Sequence, residues 1–316
     1  MRIVFFGSGN FSIPVFEYLC NQKKHQLLAV VTQPDKKGGR GYKVQHTPVK
    51  EYVLKNRIST PPVFQPRDVN SVDFIRLLRN LTPDLFIVAS FGQIFKREAL
   101  SLPRIFAINI HASLLPRYRG AAPVNWAIIN GEEITGVTIF KMNERMDAGE
   151  IISQRECNIS FQDTAVTLEK KLADIGRDLL HQTLNAIVES RFQLRPQHGK
   201  PSYAPRLKKQ DGFIHWKRSA LEIYNLIRGT QPWPGAYTYF QKNLLKIFTA
   251  EIIKMDEGMR SGNPGEILET DKEGFIVACG SGSLRIKELQ PESRKRMSAR
   301  EFISGYRIKP GMKLGP

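Results

Sequence analysis

Asn109, His111 and Asp147 are the residues whose types and spacing suit chemistry: an amide, an imidazole and a carboxylate, the groups that stabilise developing charge and move protons. The apolar segment 106–110 reads as a short buried strand, and the two-residue period puts Asn109 and His111 on one side of it. In open parallel α/β sheets the ligand crevice lies beyond the carboxyl ends of the strands, and the run 113–120 begins there. A second apolar segment, 136–142, leads to Asp147 through a short polar loop, so the three side chains can converge. Taken singly, each has a plainer use. Asn109 suits a turn or cap, His111 a hydrogen-bonded structural role, and Asp147 before Ala-Gly a turn opening.

The elements that must position them follow from periodicity. Strands are expected at 2–6, 27–31, 84–89 and 106–110, with helices at 11–20, 69–79 and 121–129 alternating with them. That alternation implies an α/β fold with a doubly wound, mainly parallel Rossmann-like sheet. A long amphipathic helix over 164–188, apolar at Leu168, Leu172, Ile175, Leu179 and Leu184, closes a first domain at 1–189. A Pro/Gly-rich basic linker, 190–211, follows. Residues 212–316 then carry five short strand candidates, 213–216, 236–240, 245–250, 274–278 and 284–289, which suggest a small OB-like β-barrel. Ser219 with Glu222, and Ser298 with Glu301, have capping-box spacing and mark two helix starts attached to it.

A chain of 316 residues suits two domains, and 41% hydrophobic with 24% charged residues is ordinary for a globular protein. The three cysteines, Cys20, Cys157 and Cys279, are scattered, which argues against a disulfide framework and a metal cluster and points to a reducing compartment. The start of the chain reads as a first strand rather than a signal peptide, since glycines interrupt it. No apolar run approaches the roughly 20 residues needed to span a bilayer. A cytoplasmic monomer is expected.

The formal charge of +17 is uneven, with 8 basic and 2 acidic residues in 1–50, 11 and 2 in 191–250, but 5 and 5 in 101–150. Basic zones flanking a neutral middle point to a polyanionic partner, nucleic acid first and an anionic membrane surface second. Lys36, Lys37, Arg40 and Lys43 surround Tyr42 in a glycine-rich loop, and Arg206, Lys208 and Lys209 extend the track through the linker. Positive charge beside an aromatic ring suits a single-stranded nucleic-acid end.

Gly7-Ser8-Gly9-Asn10-Phe11-Ser12 after the first strand invites a dinucleotide-binding reading. Ser12 occupies the third-glycine position, however, and Asp35 is displaced from the end of the second strand, so a tight strand-to-helix turn is the better account. The run 113–120 is neither a Walker-type loop nor a metal site; its Leu-Leu-Pro offers apolar contact and a restrained backbone.

Asn109, His111, SLLPRYRGAAP and MDAGEII together resemble the folate-dependent formyltransferases, and among them the members acting on methionyl-tRNA. The resemblance extends through TQPDKKGGRG, PVK, IRGTQPWPGA, NPGEIL and LQPESRKRMSAREFISG, in order, over nearly the whole chain. It implies transfer of the formyl group of 10-formyltetrahydrofolate to the α-amino group of methionine on initiator tRNA, for translation initiation. It also implies that Phe91, Gly92, Ile94, Ser113, Leu114, Leu115 and Pro116 hold the folate and that Arg40 contacts the acceptor arm. Asn109 would donate to the oxyanion, His111 would add a hydrogen bond or a proton, and Asp147 would orient His111 or relay the proton; which group is the formal base stays open. No metal is needed. The chain departs from the family pattern at His215 before Trp216 and at Ser8-Gly9-Asn10. Other readings are a formyltransferase acting on a sugar nucleotide or glycinamide ribonucleotide, which would not require the basic tracks and the barrel, and a non-catalytic RNA-binding protein, which would not need all three polar residues.

Overall fold

The computed structural model describes residues 1–38, 43–56, 61–253 and 262–315. The first part of the chain forms β1 (Arg2–Gly7), α1 (Ile13–Asn21), β2 (Gln26–Val31), β3 (Lys36–Gly38), β4 (Lys43–Gln45), α2 (Pro48–Asn56), β5 (Val63–Phe64), α3 (Val72–Asn80) and β6 (Leu85–Ala89). There follow α4 (Arg97–Leu100), β7 (Phe106–His111), β8 (Arg119–Gly120), α5 (Pro123–Ile129), β9 (Ile134–Lys141), β10 (Ile151–Asn158), α6 (Ala165–Val188) and β11 (Tyr203–Ala204). Helix α1 starts two residues later than periodicity predicts, because residues 10–12 close a 3₁₀ turn in which the Ser12 hydroxyl donates to the Gly9 carbonyl.

The described residues divide into two compact units, and neither is contiguous in sequence. The first comprises Met1–Pro123, Ile134–Asn158 and Leu168–Pro205. Its sheet has the order β10-β9-β7-β6-β1-β2-β5. β5, β2, β1, β6 and β7 run parallel, while β9 pairs antiparallel with β7 and β10 antiparallel with β9. Strands buried on both faces explain why β1 and β6 read as unbroken apolar runs. One face packs Val4, Phe6, Phe86, Val88 and Ala107 against Phe74, Ile75 and Leu78 of α3. On the other face α6 approaches closely at Gly176, where an added Cβ would lie 3.2 Å from Ile110. The chain winds from β1 to β2 in one direction and later passes from β6 to β7 in the other, so the topological switch point falls between β1 and β6.

The second unit comprises Val124–Glu133, Ile159–Thr167 and Arg206–Pro316. It contains α7 (Ala220–Gly229), β12 (Ala236–Phe240), β13 (Asn243–Ile253), β14 (Ile267–Thr270), β15 (Phe275–Ala278), β16 (Ser283–Pro291), β17 (Met297–Ser298) and α8 (Ala299–Tyr306). An antiparallel sheet, β12-β13-β16-β15-β14 with β17 on β16, wraps one apolar core in a barrel-like arrangement. Irregular register around Thr249 in β13 supplies the bend. Both expected capping boxes form, Ser219 with Glu222 and Ser298 with Glu301. The expected strand at 213–216 is not one: Phe213 makes a single bridge to Tyr237 after a 3₁₀ turn, and β14 takes the fifth place. The buried Arg228 explains why 159–167 packs in this unit. Its guanidinium donates to Asn225 Oδ1 and to the carbonyls of Ser160 and Asp163, beneath the rings of Phe161 and Tyr224.

Candidate active site

Asn109 and His111 lie at the carboxyl end of β7, between Val88 of β6 and the β9 residues Phe140 and Thr138. Ala107, on the same face, belongs to the core, so the face turns from apolar to polar as the strand ends. Beyond it the chain is held by one hydroxyl. Thr138 Oγ1 donates to the Ser113 carbonyl (2.6 Å) and accepts from the Leu115 amide (3.1 Å) and Gln154 Nε2 (2.9 Å), which saturates it. The Ser113 hydroxyl donates to the Arg117 carbonyl at 2.6 Å. Leu114 packs over Gly136 of β9.

His111 is 7% exposed and its Nε2 sits 2.9 Å from the Tyr118 carbonyl oxygen. A carbonyl only accepts, so Nε2 carries a proton, and in the neutral form of the ring the lone pair lies at Nδ1. Nδ1 faces Asp147 Oδ2 at 3.8 Å, beyond a hydrogen bond but close enough for the carboxylate to attract the ring once Nδ1 takes up a proton. The same carboxylate oxygen accepts from the Gly120 amide at 2.8 Å. Asp147 is in the left-handed region (φ 48°), one of the few residue types that tolerates it. The turn that carries it closes only because residue 149 is glycine: a Cβ there would fall 1.7 Å from the Lys141 carbonyl oxygen. Asn109 is half-buried, and among the described residues no hydrogen bond engages its side-chain amide. The structure therefore brings His111 and Asp147 together and leaves the Asn109 amide, on the same strand face, uncommitted.

At the switch point the amides of Ser8 and Gly9 both donate to the Ser90 carbonyl, at 3.1 and 3.2 Å. A Cβ at residue 9 would meet Ser90 Oγ at 2.4 Å, which is why the first turn needs this glycine. Those amides are thus spent within the protein, in keeping with a tight turn rather than a pyrophosphate loop. In the following loop, Phe91 is buried against Phe6 and Phe95, Gly92 is exposed with φ 85°, and Ile94 is 68% exposed. Leu115 is buried, whereas Leu114 and Pro116 are half-buried.

A polar cluster beside this loop escaped sequence reasoning. Lys50 Nζ donates to Asp35 Oδ2 (2.5 Å) and Gln65 Oε1 (2.7 Å), Gln65 Nε2 donates to Asp35 Oδ1 (2.8 Å), and His46 Nδ1 lies 3.1 Å from Asp35. The Lys50 ammonium first, and then the Gln65 amide, hold the Asp35 carboxyl well below the usual carboxylate range. The available signal was Asp35 after a strand end with Lys50 in the next helix, but no periodicity relates them. Because the folded group keeps its charge in acid, its stabilisation is present above the unfolded value near ~3.9 and fades as pH falls below it. Asp35→Asn is expected to lower stability by about 1–2 kcal/mol at pH 7 in urea unfolding, a modest loss because solvent reaches part of the pair. The gap to the parent should narrow as pH falls below about 4 and close only where the folded carboxyl itself takes up a proton; an equal gap at pH 7 and in strong acid would deny the ion pair its role.

Among the expected nucleic-acid contacts, Lys36, Arg206, Lys208 and Lys209 are exposed, and Lys37 and Lys43 lie on the paired strands β3 and β4. Arg40 is outside the described residues. Among the described residues no group of His, Cys, Asp and Glu side chains is arranged to hold a metal ion, and no helix is long and apolar enough to cross a membrane.

Residues 1–184 match the formyl transferase family, and residues 206–307 match the formyl transferase C-terminal domain. Over its full length the chain is 44% identical to the methionyl-tRNA formyltransferase of Acetivibrio thermocellus, covering 100% of both chains. Among solved structures it resembles an N-formyltransferase from Helicobacter canadensis, with a TM-score of 0.63 and 22% identity over 90% of this chain and 98% of that one. It also resembles HypX from Aquifex aeolicus, with a TM-score of 0.63 and 17% identity, covering 97% of this chain and 47% of that longer one. The latter two likenesses speak for the fold. The relative that matches from end to end, across both units, speaks for more: the chain belongs to the methionyl-tRNA formyltransferase family.

Proposed function

We propose that this enzyme transfers the formyl group of 10-formyltetrahydrofolate to the α-amino group of methionine esterified to initiator tRNA. The observation that carries the reading is the 44% identity maintained over the whole chain with a methionyl-tRNA formyltransferase. Likeness to the N-formyltransferase at low identity supports the fold and leaves the acceptor to the basic tracks, which a sugar nucleotide does not require.

In this reading the neutral amine attacks the formyl carbon, a C–N bond forms, and charge collects on the formyl oxygen. Asn109, the uncommitted amide, donates to that oxyanion. The His111 ring, with Nε2 tied to Tyr118, offers Nδ1 to the proton the amine loses, and Asp147 stabilises the resulting imidazolium. Collapse breaks the bond from the formyl carbon to the folate nitrogen, which takes up the proton His111 accepted from the amine, and the ring returns to its starting state. The folate would lie at the switch-point crevice against Phe91, Gly92, Ile94, Ser113, Leu114, Leu115 and Pro116. Since the Ser113 hydroxyl and Leu115 amide are already bonded, the 113–116 turn contributes apolar surface, while Gly92 and Ile94 offer exposed backbone and apolar contact.

The deciding assay supplies 10-formyltetrahydrofolate with methionyl initiator tRNA, methionyl elongator tRNA, free methionine or an amino-sugar nucleotide. Transfer confined to the sugar nucleotide overturns the reading. The tRNA would contact Lys36, Lys37, Arg40, Lys43, Arg206, Lys208 and Lys209. If these neutralise about six phosphates, log K falls against log salt with a slope of about −4 to −5. Arg40→Ala is expected to flatten that slope by about 1 and to leave folate binding unchanged. Unchanged tRNA kinetics and slope would make the loop a bystander.

A further inference from the structure

The segment between α6 and the second unit has the composition of a linker, yet it is bound to the rim of the active site. Arg195 exchanges two backbone hydrogen bonds with Ile151, Ser202 receives the amides of Tyr118 (on Oγ) and Arg119 (on its carbonyl), and β11 pairs with β8. Gln197 is the half-buried side chain in this stretch that reaches the Asp147 turn. Its Nε2 donates to the carbonyls of Asp147 (2.9 Å) and Gly149 (2.8 Å). Its Oε1 accepts from Arg119 Nε (3.2 Å) and Nη2 (2.6 Å). Arg119 adjoins Gly120, whose amide binds the Asp147 carboxylate. The result is a closed ring: Gln197 grips the backbone of Asp147 on one side and, through Arg119 and Gly120, the anchor of its carboxylate on the other.

We infer that Gln197 is a positioning residue that fixes the Asp147 carboxylate opposite His111. Primary amide geometry is what the position needs. Two N–H groups meet two carbonyls while one oxygen meets a guanidinium, and no other side chain of this length supplies both. The ring also holds Asp147 in a left-handed conformation that the backbone alone disfavours. This role rests on the formyl-transfer reading, in which Asp147 and His111 act together.

The test uses the full chain with Gln197→Leu, which keeps bulk and removes every bond, and Gln197→Glu, which keeps the acceptor for Arg119 and turns carboxylate oxygens on the two carbonyls. Each is expected to lower kcat about 10- to 100-fold, as for a misplacement of order 1 Å, with little change in KM for tRNA. In an Asp147→Asn background the same substitutions should have almost no further effect, because the group they position is gone. Hydrogen exchange at the Gly120 amide, which needs no activity, should accelerate about 10-fold or more, the effect of losing one hydrogen bond's protection. Two results overturn the inference: near-parent kcat in both variants, or an equal loss with and without Asp147. If the parent enzyme transfers no formyl group to tRNA, the function reading fails separately, and unchanged Gly120 exchange would then still sink the positioning role.

Discussion

Replacing Asn109 by alanine is expected to reduce kcat about 100-fold to 1,000-fold, the cost of one preorganised oxyanion donor. The side chain is half-buried and makes no hydrogen bond among the described residues, so its removal leaves no partner orphaned and the fold should melt within a degree or two of the parent. Binding of either substrate should change little, because the hydrogen bond matters when charge has moved onto the formyl oxygen and not before. Asn109→Asp sharpens the test. It preserves shape, but at neutral pH it replaces a donor with an anion facing developing negative charge, so its loss should exceed that of alanine. Near-parent turnover in Asn109→Ala, or Asn109→Asp milder than Asn109→Ala, would remove this amide from the mechanism.

How far the sequence could be read depended on the range of the physics involved. The strand that carries Asn109 and His111 is local: an unbroken apolar run with two polar residues at its end, and β7 spans Phe106–His111 as that pattern requires. The capping boxes at Ser219 and Ser298 are equally local and both form. Long-range features were less visible. The antiparallel pairing of β9 with β7, which brings the Asp147 turn beside His111, depends on strand order that periodicity does not encode. Residues 190–205 look like a linker because proline, glycine and charge obscure any period, yet they pair with β8 and the start of β10 and pack with the first unit. Conversely, Val124–Glu133 and Ile159–Thr167 interrupt the first unit in sequence and pack with the second. A truncation placed in the linker would therefore strip these apolar segments of their partners. Asn125 would lose the Gly229 carbonyl to which it donates, and Ser160 and Asp163 would lose Arg228.

Coupling between His111 and Asp147 should appear as strong non-additivity. His111→Ala removes the proton carrier and is expected to lower kcat about 100-fold to 10,000-fold, the range for a positioned acid or base. Asp147→Asn is the informative partner because its amide oxygen can still accept from the Gly120 amide, so the turn keeps its anchor while the negative charge disappears. That same oxygen is the one facing His111 Nδ1, so a neutral amide oxygen replaces the carboxylate there and the protonated ring loses its stabilising charge. The single change should therefore approach the His111→Ala loss. The ring stays upright through Nε2 and the Tyr118 carbonyl, so a collapsed histidine is not the cause. Once His111 is gone, the Asp147 charge has no imidazolium to stabilise, and the double variant should be about as slow as the worse single one. Single-turnover rates for the four proteins, with saturating folate donor and tRNA, measure this directly. A double loss equal to the product of the two single losses would mean that the carboxylate and the imidazole act on separate steps, and the shared proton route through Nδ1 would have to be abandoned.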